Sequence, residues 1–199
     1  MKNRFFHLLM IGTLACWSPQ PIFAQTDVTE TYLKNPSFEN QFTDWENSGM
    51  QSQTNTSFQL KEGNTYVERW TGQGGQVADC HVSQTLTTLK NGVYKLTAAA
   101  QNIQQNSPAT QSGAYVFAGN AQVAVGAAND YSLEFTVIEG QATIGFKTEN
   151  ATGNWVAVTI SGFTHSITIW LKSKRNCNAA LKKARHWYPK RCKKTCSRN

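Results

Sequence analysis

Cysteine and histidine are nearly absent from the stretch that reads as folded. The chain has 199 residues and five cysteines, but between Gln25 and Val158 only Cys80 occurs. That excludes a disulfide framework, and a lone cysteine in a strand-like stretch reads as a buried small hydrophobe. His81 is the only histidine in the same stretch; a single His on a strand is more often structural than a base. No G-x-S-x-G, H-E-x-x-H or phosphate-binding glycine loop occurs, so no nucleophile elbow, zinc protease helix or nucleotide site is indicated. No window of a dozen residues has helical periodicity. A second long apolar run is lacking as well, so no transmembrane span follows the N-terminus. Acidic residues are absent after Val158.

That last absence explains the net charge of +7. Of the 19 Lys and Arg, eleven follow Val158, two are Lys2 and Arg4, and six remain against all 12 Asp and Glu. The segment from Gln25 to Val158 is therefore acidic, and a basic partner surface for nucleic acid or anionic membrane belongs to the tail alone.

The first 24 residues have the layout of a secretory signal. Lys2 and Arg4 form a positive start, Phe5 to Trp17 a short apolar run, and Ile22-Phe23-Ala24 a small-residue end before Gln25. Export to the periplasm, cell surface or exterior is expected. Thr13-Leu14-Ala15-Cys16 loosely resembles a lipoprotein processing site, which would tether the product at Cys16.

What the segment 25–158 does have is short β patterns separated by turn residues. "NTYVERW" (64–70) and "QVADCHVSQTL" (76–86) flank the turn "TGQGG". Asn91-Gly92 precedes an alternating run, and "GAYVFAG" (113–119) and "AQVAVGA" (121–127) meet at Gly119-Asn120. Tyr131, Leu133, Phe135 and Val137 alternate strictly with Ser132, Glu134 and Thr136. Eight to ten short strands at regular spacing predict an all-β antiparallel sandwich of jelly-roll type. The polar stretch 102–112 reads as a solvated loop, and "YLKNPSFENQFTDW" (32–45) as an opening strand followed by a turn.

The opening "NPSFE…F-DW", the middle "VSQTL-TLKNGVYKLTAAAQ" and the late "GNWVAV" carry a family resemblance over about residues 30–158. The chain resembles the galactose-binding-like jelly-roll domains of secreted bacterial carbohydrate-active proteins. Carbohydrate-binding modules and non-catalytic domains of glycoside hydrolases belong to that group. The leader and composition resemble Bacteroides-type secreted proteins. The resemblance implies a non-catalytic module with a glycan or polysaccharide as partner. It also implies a structural calcium held by Glu39, with carbonyls of the loop 61–65 completing the sphere, since calcium takes about six to eight hard oxygen ligands. Thr159 stands where the family has an Asp on the last strand; the other reading of Glu39 is an exposed strand-end carboxylate. Trp45 and Trp155 fall in the family's core motifs and are expected to pack.

A sugar site needs a flat aromatic face and a few polar anchors. Trp70, flanked by Arg69 and Glu68 and sharing strand parity with Tyr66, is the candidate; its alternative is sheet packing. Asp79, His81 and Ser83 share one face of one strand, which gives no cleft for a catalytic triad.

The tail 159–199 is open to three readings. It is a basic arm for nucleic acid or membrane, with Trp187 and Tyr188 interleaved. It is a disordered polybasic segment without a role. Or it is a shifted reading frame: a one-base shift after Val158 turns Val-Thr-Ile-Ser-Gly-Phe into a possible Val-Asp-Asn-Phe-Arg-Leu. The last reading covers the missing Asp, the charge reversal and the cysteines together, and implies a truncated protein whose downstream domains are lost. Ile160 and Phe163 keep some β-propensity, enough for the last strand to run on through backbone pairing.

Overall fold

A computed structural model describes residues 21–170, with side chains from 24 to 167. The charged and apolar parts of the expected leader, Cys16, and the tail from 171 onward lie outside the described residues. Phe23–Thr168 forms one compact unit.

Eleven strands and one helical turn make up the described chain. They are β1 (Pro21–Asp27), α1 (Thr29–Tyr32), β2 (Glu46–Ser48), β3 (Gln51–Gln53), β4 (Tyr66–Trp70) and β5 (His81–Leu86). Then follow β6 (Gly92–Ile103), β7 (Ala114–Ala118), β8 (Ala121–Ala124), β9 (Asn129–Val137), β10 (Ala142–Thr148) and β11 (Trp155–Trp170). One sheet runs β3-β4-β11-β6-β9 with β1 beside β11; the other runs β2-β5-β10-β7-β8. Strands β4 to β11 cross between the sheets in the order that defines a jelly roll: β4-β11-β6-β9 face β5-β10-β7-β8.

The core lies between the two sheets and follows strand alternation. Leu133, Phe135 and Val137 of β9 point inward while Ser132, Glu134 and Thr136 are exposed, as their period predicts. Leu96, Val116, Ile144, Phe146, Val156 and Val158 meet them from the other strands. A smaller cluster forms on the outer face of the first sheet. There Phe58, from the loop between β3 and β4, covers Tyr66, Ala99 and Ala157.

Two sequence expectations change. The opening segment is not a strand: α1 is followed by successive turns, with Asn35, Phe38, Gln41 and Asp44 at positive φ. Trp45 anchors these turns as expected of a packing residue, its indole N–H donating to the carbonyls of Lys34 (3.1 Å) and Asn35 (3.0 Å). β1 includes Ala24. The sandwich also does not stop at Val158. β11 pairs with β6 through Ser166, and Ile160 and Phe163 are buried. A bulge between Ile160 and Gly162 shifts the register by one residue. It turns Phe163 inward, where its ring stacks on Tyr94 at 5.0 Å and lies 6.0 Å from Phe135.

Candidate functional site

The four predicted site residues divide between two faces, because β4 alternates. Tyr66, Glu68 and Trp70 share the outer face; Arg69 turns to the other side, where its guanidinium donates to the Gly49 carbonyl at 2.5 Å. Tyr66 and Glu68 are buried, whereas Trp70 is 58% exposed. Glu68 is the centre of a hydrogen-bond cluster. Its Oε2 accepts the Trp155 indole N–H at 2.7 Å and the Tyr66 hydroxyl at 3.1 Å. Its Oε1 accepts the Gln51 and Gln53 amides at 3.1 and 3.4 Å. Burial, with the Glu68 carboxylate next in effect, pushes the Tyr66 phenol far above its usual range.

Trp155 packs as expected, but against the outer cluster of Phe58, Tyr66, Ala99 and Ala157 rather than the central core. It lies directly across from Trp70 in the β4–β11 register and is half-buried on the outer face. The two indoles therefore edge one surface, with Trp155 held by Glu68 and Trp70 bare. Parity was the available signal, since Trp155 is out of phase with the buried Val156 and Val158.

A second aromatic surface was not anticipated. In β7 the small residues Ala114, Val116 and Ala118 fill the core, so Tyr115 and Phe117 face outward, half-buried. On β10, Lys147 is opposite Tyr115 and Gly145 opposite Phe117. The Lys147 ammonium sits 5.8 Å from both ring centroids and 2.6 Å from Glu149. On the far side, Lys147 pairs with His81 and Gly145 with Ser83 on β5. Gly145 leaves a dip in this row, and a Cβ there would run into the Val82 carbonyl. Beside it is a groove of about 390 Å³ whose lining includes Ser48, Asp79, His81, Phe117, Lys147 and Glu149. His81 Nε2 lies 4.0 Å from Glu46. Asp79 accepts the Asn150 amide instead, and Ser83 is buried, so these three form no relay. A larger hollow of about 720 Å³, around Asn120, Ile138 and Gln141 at the hairpin tips, has only the buried Phe135 as aromatic lining.

Glu39 reaches the loop 61–65, as expected of the calcium position, but meets hydrogen-bond donors there. Its Oε1 accepts the amides of Asn64 (2.6 Å) and Thr65 (3.0 Å). These bonds, Asn64 first, hold its carboxyl below the usual value. The carbonyls of Thr54, Asn55 and Asn64 point at the Lys61 ammonium. The Thr159 hydroxyl is buried without a partner. Among the described residues no three His, Cys, Asp or Glu side chains gather as a metal group. One carboxylate facing amides, with carbonyls facing an ammonium, does not fit calcium.

The fold and these surfaces describe a jelly-roll β-sandwich with aromatic side chains on both outer faces. No family model matches the sequence, and no curated protein matches it. Solved structures do. TmCBM61, in complex with beta-1,4-galactotriose, is similar over 69% of this chain and 98% of its own, at 20% identity and a TM-score of 0.49. A family 16 carbohydrate-binding module matches over 65% of this chain and 96% of its own, at 11% identity and a TM-score of 0.45. A family 35 carbohydrate-binding module from Clostridium thermocellum matches over 59% and 93%, at 14% identity and a TM-score of 0.39.

Proposed function

We propose that this protein is an exported, non-catalytic module that binds a glycan through stacked aromatic faces. The observation that carries the proposal is Trp70, 58% exposed beside Trp155 on the outer face of the sandwich. A bare indole edged by amides suits the C–H face of a pyranose, with hydroxyls reaching polar neighbours. Gln51 and the half-buried Gln53 supply amides next to Glu68. The Tyr115–Phe117 strip, with its groove and Lys147, is a second surface of the same chemistry.

Affinity electrophoresis of the full chain through gels containing soluble polysaccharides tests this. Retention by at least one glycan is expected. Trp70→Ala or Phe117→Ala should weaken it about fivefold, according to which face is used, because losing one stacked ring costs on the order of 1 kcal/mol. If no glycan retards the protein, sugar binding is wrong. The role of an accessory docking domain of a glycoside hydrolase then becomes the better description.

A further inference from the structure

We propose that the ammonium of Lys61 is the built-in structural cation of the loop over the outer sheet, serving where a bound metal would otherwise be needed. The loop joins β3 to β4 and is mostly exposed, with Phe58 as its fully buried anchor. Such a segment needs its ends fixed if Phe58 is to stay over Tyr66, Ala99 and Ala157.

Lys61 does this. Its Nζ donates to the carbonyls of Thr54 (3.0 Å) and Asn55 (2.9 Å) at the loop's start, and of Asn64 (2.8 Å) at its end. An ammonium has three donors and no acceptor, so its capacity is filled by three converging carbonyl oxygens. These bonds are charge-assisted, the stronger kind. The opposite side of the same turn is held by the anion. Glu39 takes the amides of Asn64 and Thr65, and the Lys61 charge helps to hold its carboxyl in the ionised form. Asn64 is thus pinned from both sides, its carbonyl by a cation and its amide by a carboxylate. Gly63, at φ 67°, makes the approach possible, because a Cβ there would strike the Glu39 carboxylate.

The test is the thermal midpoint of the full chain, with calcium chloride and with chelator, for the unmodified protein and for Lys61→Ala and Lys61→Arg. The unmodified protein should melt at the same temperature in both. A bound calcium at about ten times its dissociation constant would raise the midpoint by several degrees. Lys61→Ala should melt several degrees lower and regain part of that loss in calcium, because its carbonyls and Glu39 are left without a cation. Lys61→Arg should fall in between: it keeps the charge, but its planar fork cannot aim three donors at one point. A calcium-dependent rise in the unmodified protein would overturn the proposal, and so would an unchanged midpoint in Lys61→Ala.

Discussion

Phe163 decides where the folded unit ends. Its side chain is fully buried, stacked on Tyr94 and close to Phe135 and Tyr32. If the strand beyond Val158 belongs to the sandwich, Phe163→Ala opens a cavity in the middle of an aromatic cluster. Core Phe→Ala changes cost about 3–5 kcal/mol. The upper half of that range applies, because neighbours locked by β pairing collapse poorly into the space. For a domain of this size each kcal/mol moves the midpoint by about 2–4 °C, so a fall of roughly 8–20 °C is expected. The loss is a large fraction of the roughly 5–15 kcal/mol that holds a domain together. Urea unfolding followed by Trp fluorescence, with thermal melts alongside, measures both quantities. A midpoint within about 2 °C of the unmodified protein would refute the reasoning. It would mean that the sandwich closes without Phe163 and that the boundary suggested by the charge reversal at Val158 stands.

Two further predictions follow from the buried and capping carboxylates. Glu68→Leu removes the shared acceptor of Trp155, Tyr66, Gln51 and Gln53. It should destabilise by on the order of 2 kcal/mol in chemical unfolding, since the Trp155 indole N–H loses its acceptor while the Tyr66 hydroxyl keeps that of Asn55 at 2.8 Å; a neutral result would show that water replaces the carboxylate. Glu39 has a folded-state pKa below its ordinary value of 4.5, so its contribution is present above that pH and fades as pH falls through the lower folded value. Glu39→Gln should therefore flatten the acid side of the stability–pH curve and leave the neutral side sloped as before; equal curves for both proteins would remove Glu39 from acid sensitivity.

Much of the sandwich was legible because one face of each strand is buried. The period-2 pattern of 131–137 gave both the strand and its inward side, and the short strands 113–119 and 121–127 reappear as β7 and β8. The segment 32–45 was not legible. Its β-like residues are held in turns by positive φ at Asn35, Phe38, Gln41 and Asp44, and by the Asn35 side chain bonded across the loop. Nothing in local composition marks that. Residue type and strand parity mark Trp70 with Tyr66 and Glu68, whereas chain adjacency alone brings in Arg69, which alternation sends to the opposite side. The Tyr115–Phe117 strip was hidden for a related reason. Large aromatics are usually inside, and here Ala114, Val116 and Ala118 take the core while the rings face out. The Lys61 clamp depends on a loop closing over ten residues, and only coordinates reveal it.

The bulge near Ser161 has a consequence for how this chain tolerates change. Upstream of it, even-numbered residues of β11 face the core; downstream, Phe163 does. Had the strand kept plain alternation past Ile160, Gly162 and Thr164 would face the core and Phe163 the solvent; the extra residue Ser161 in the bulge is what puts Phe163 inside. Hairpin tips such as Gly119-Asn120 can absorb an insertion as a longer loop. At the bulge a single residue sets the phase for the end of the fold: deleting Ser161 would leave a regular strand with Phe163 still inside, whereas adding a residue would turn Phe163 outward.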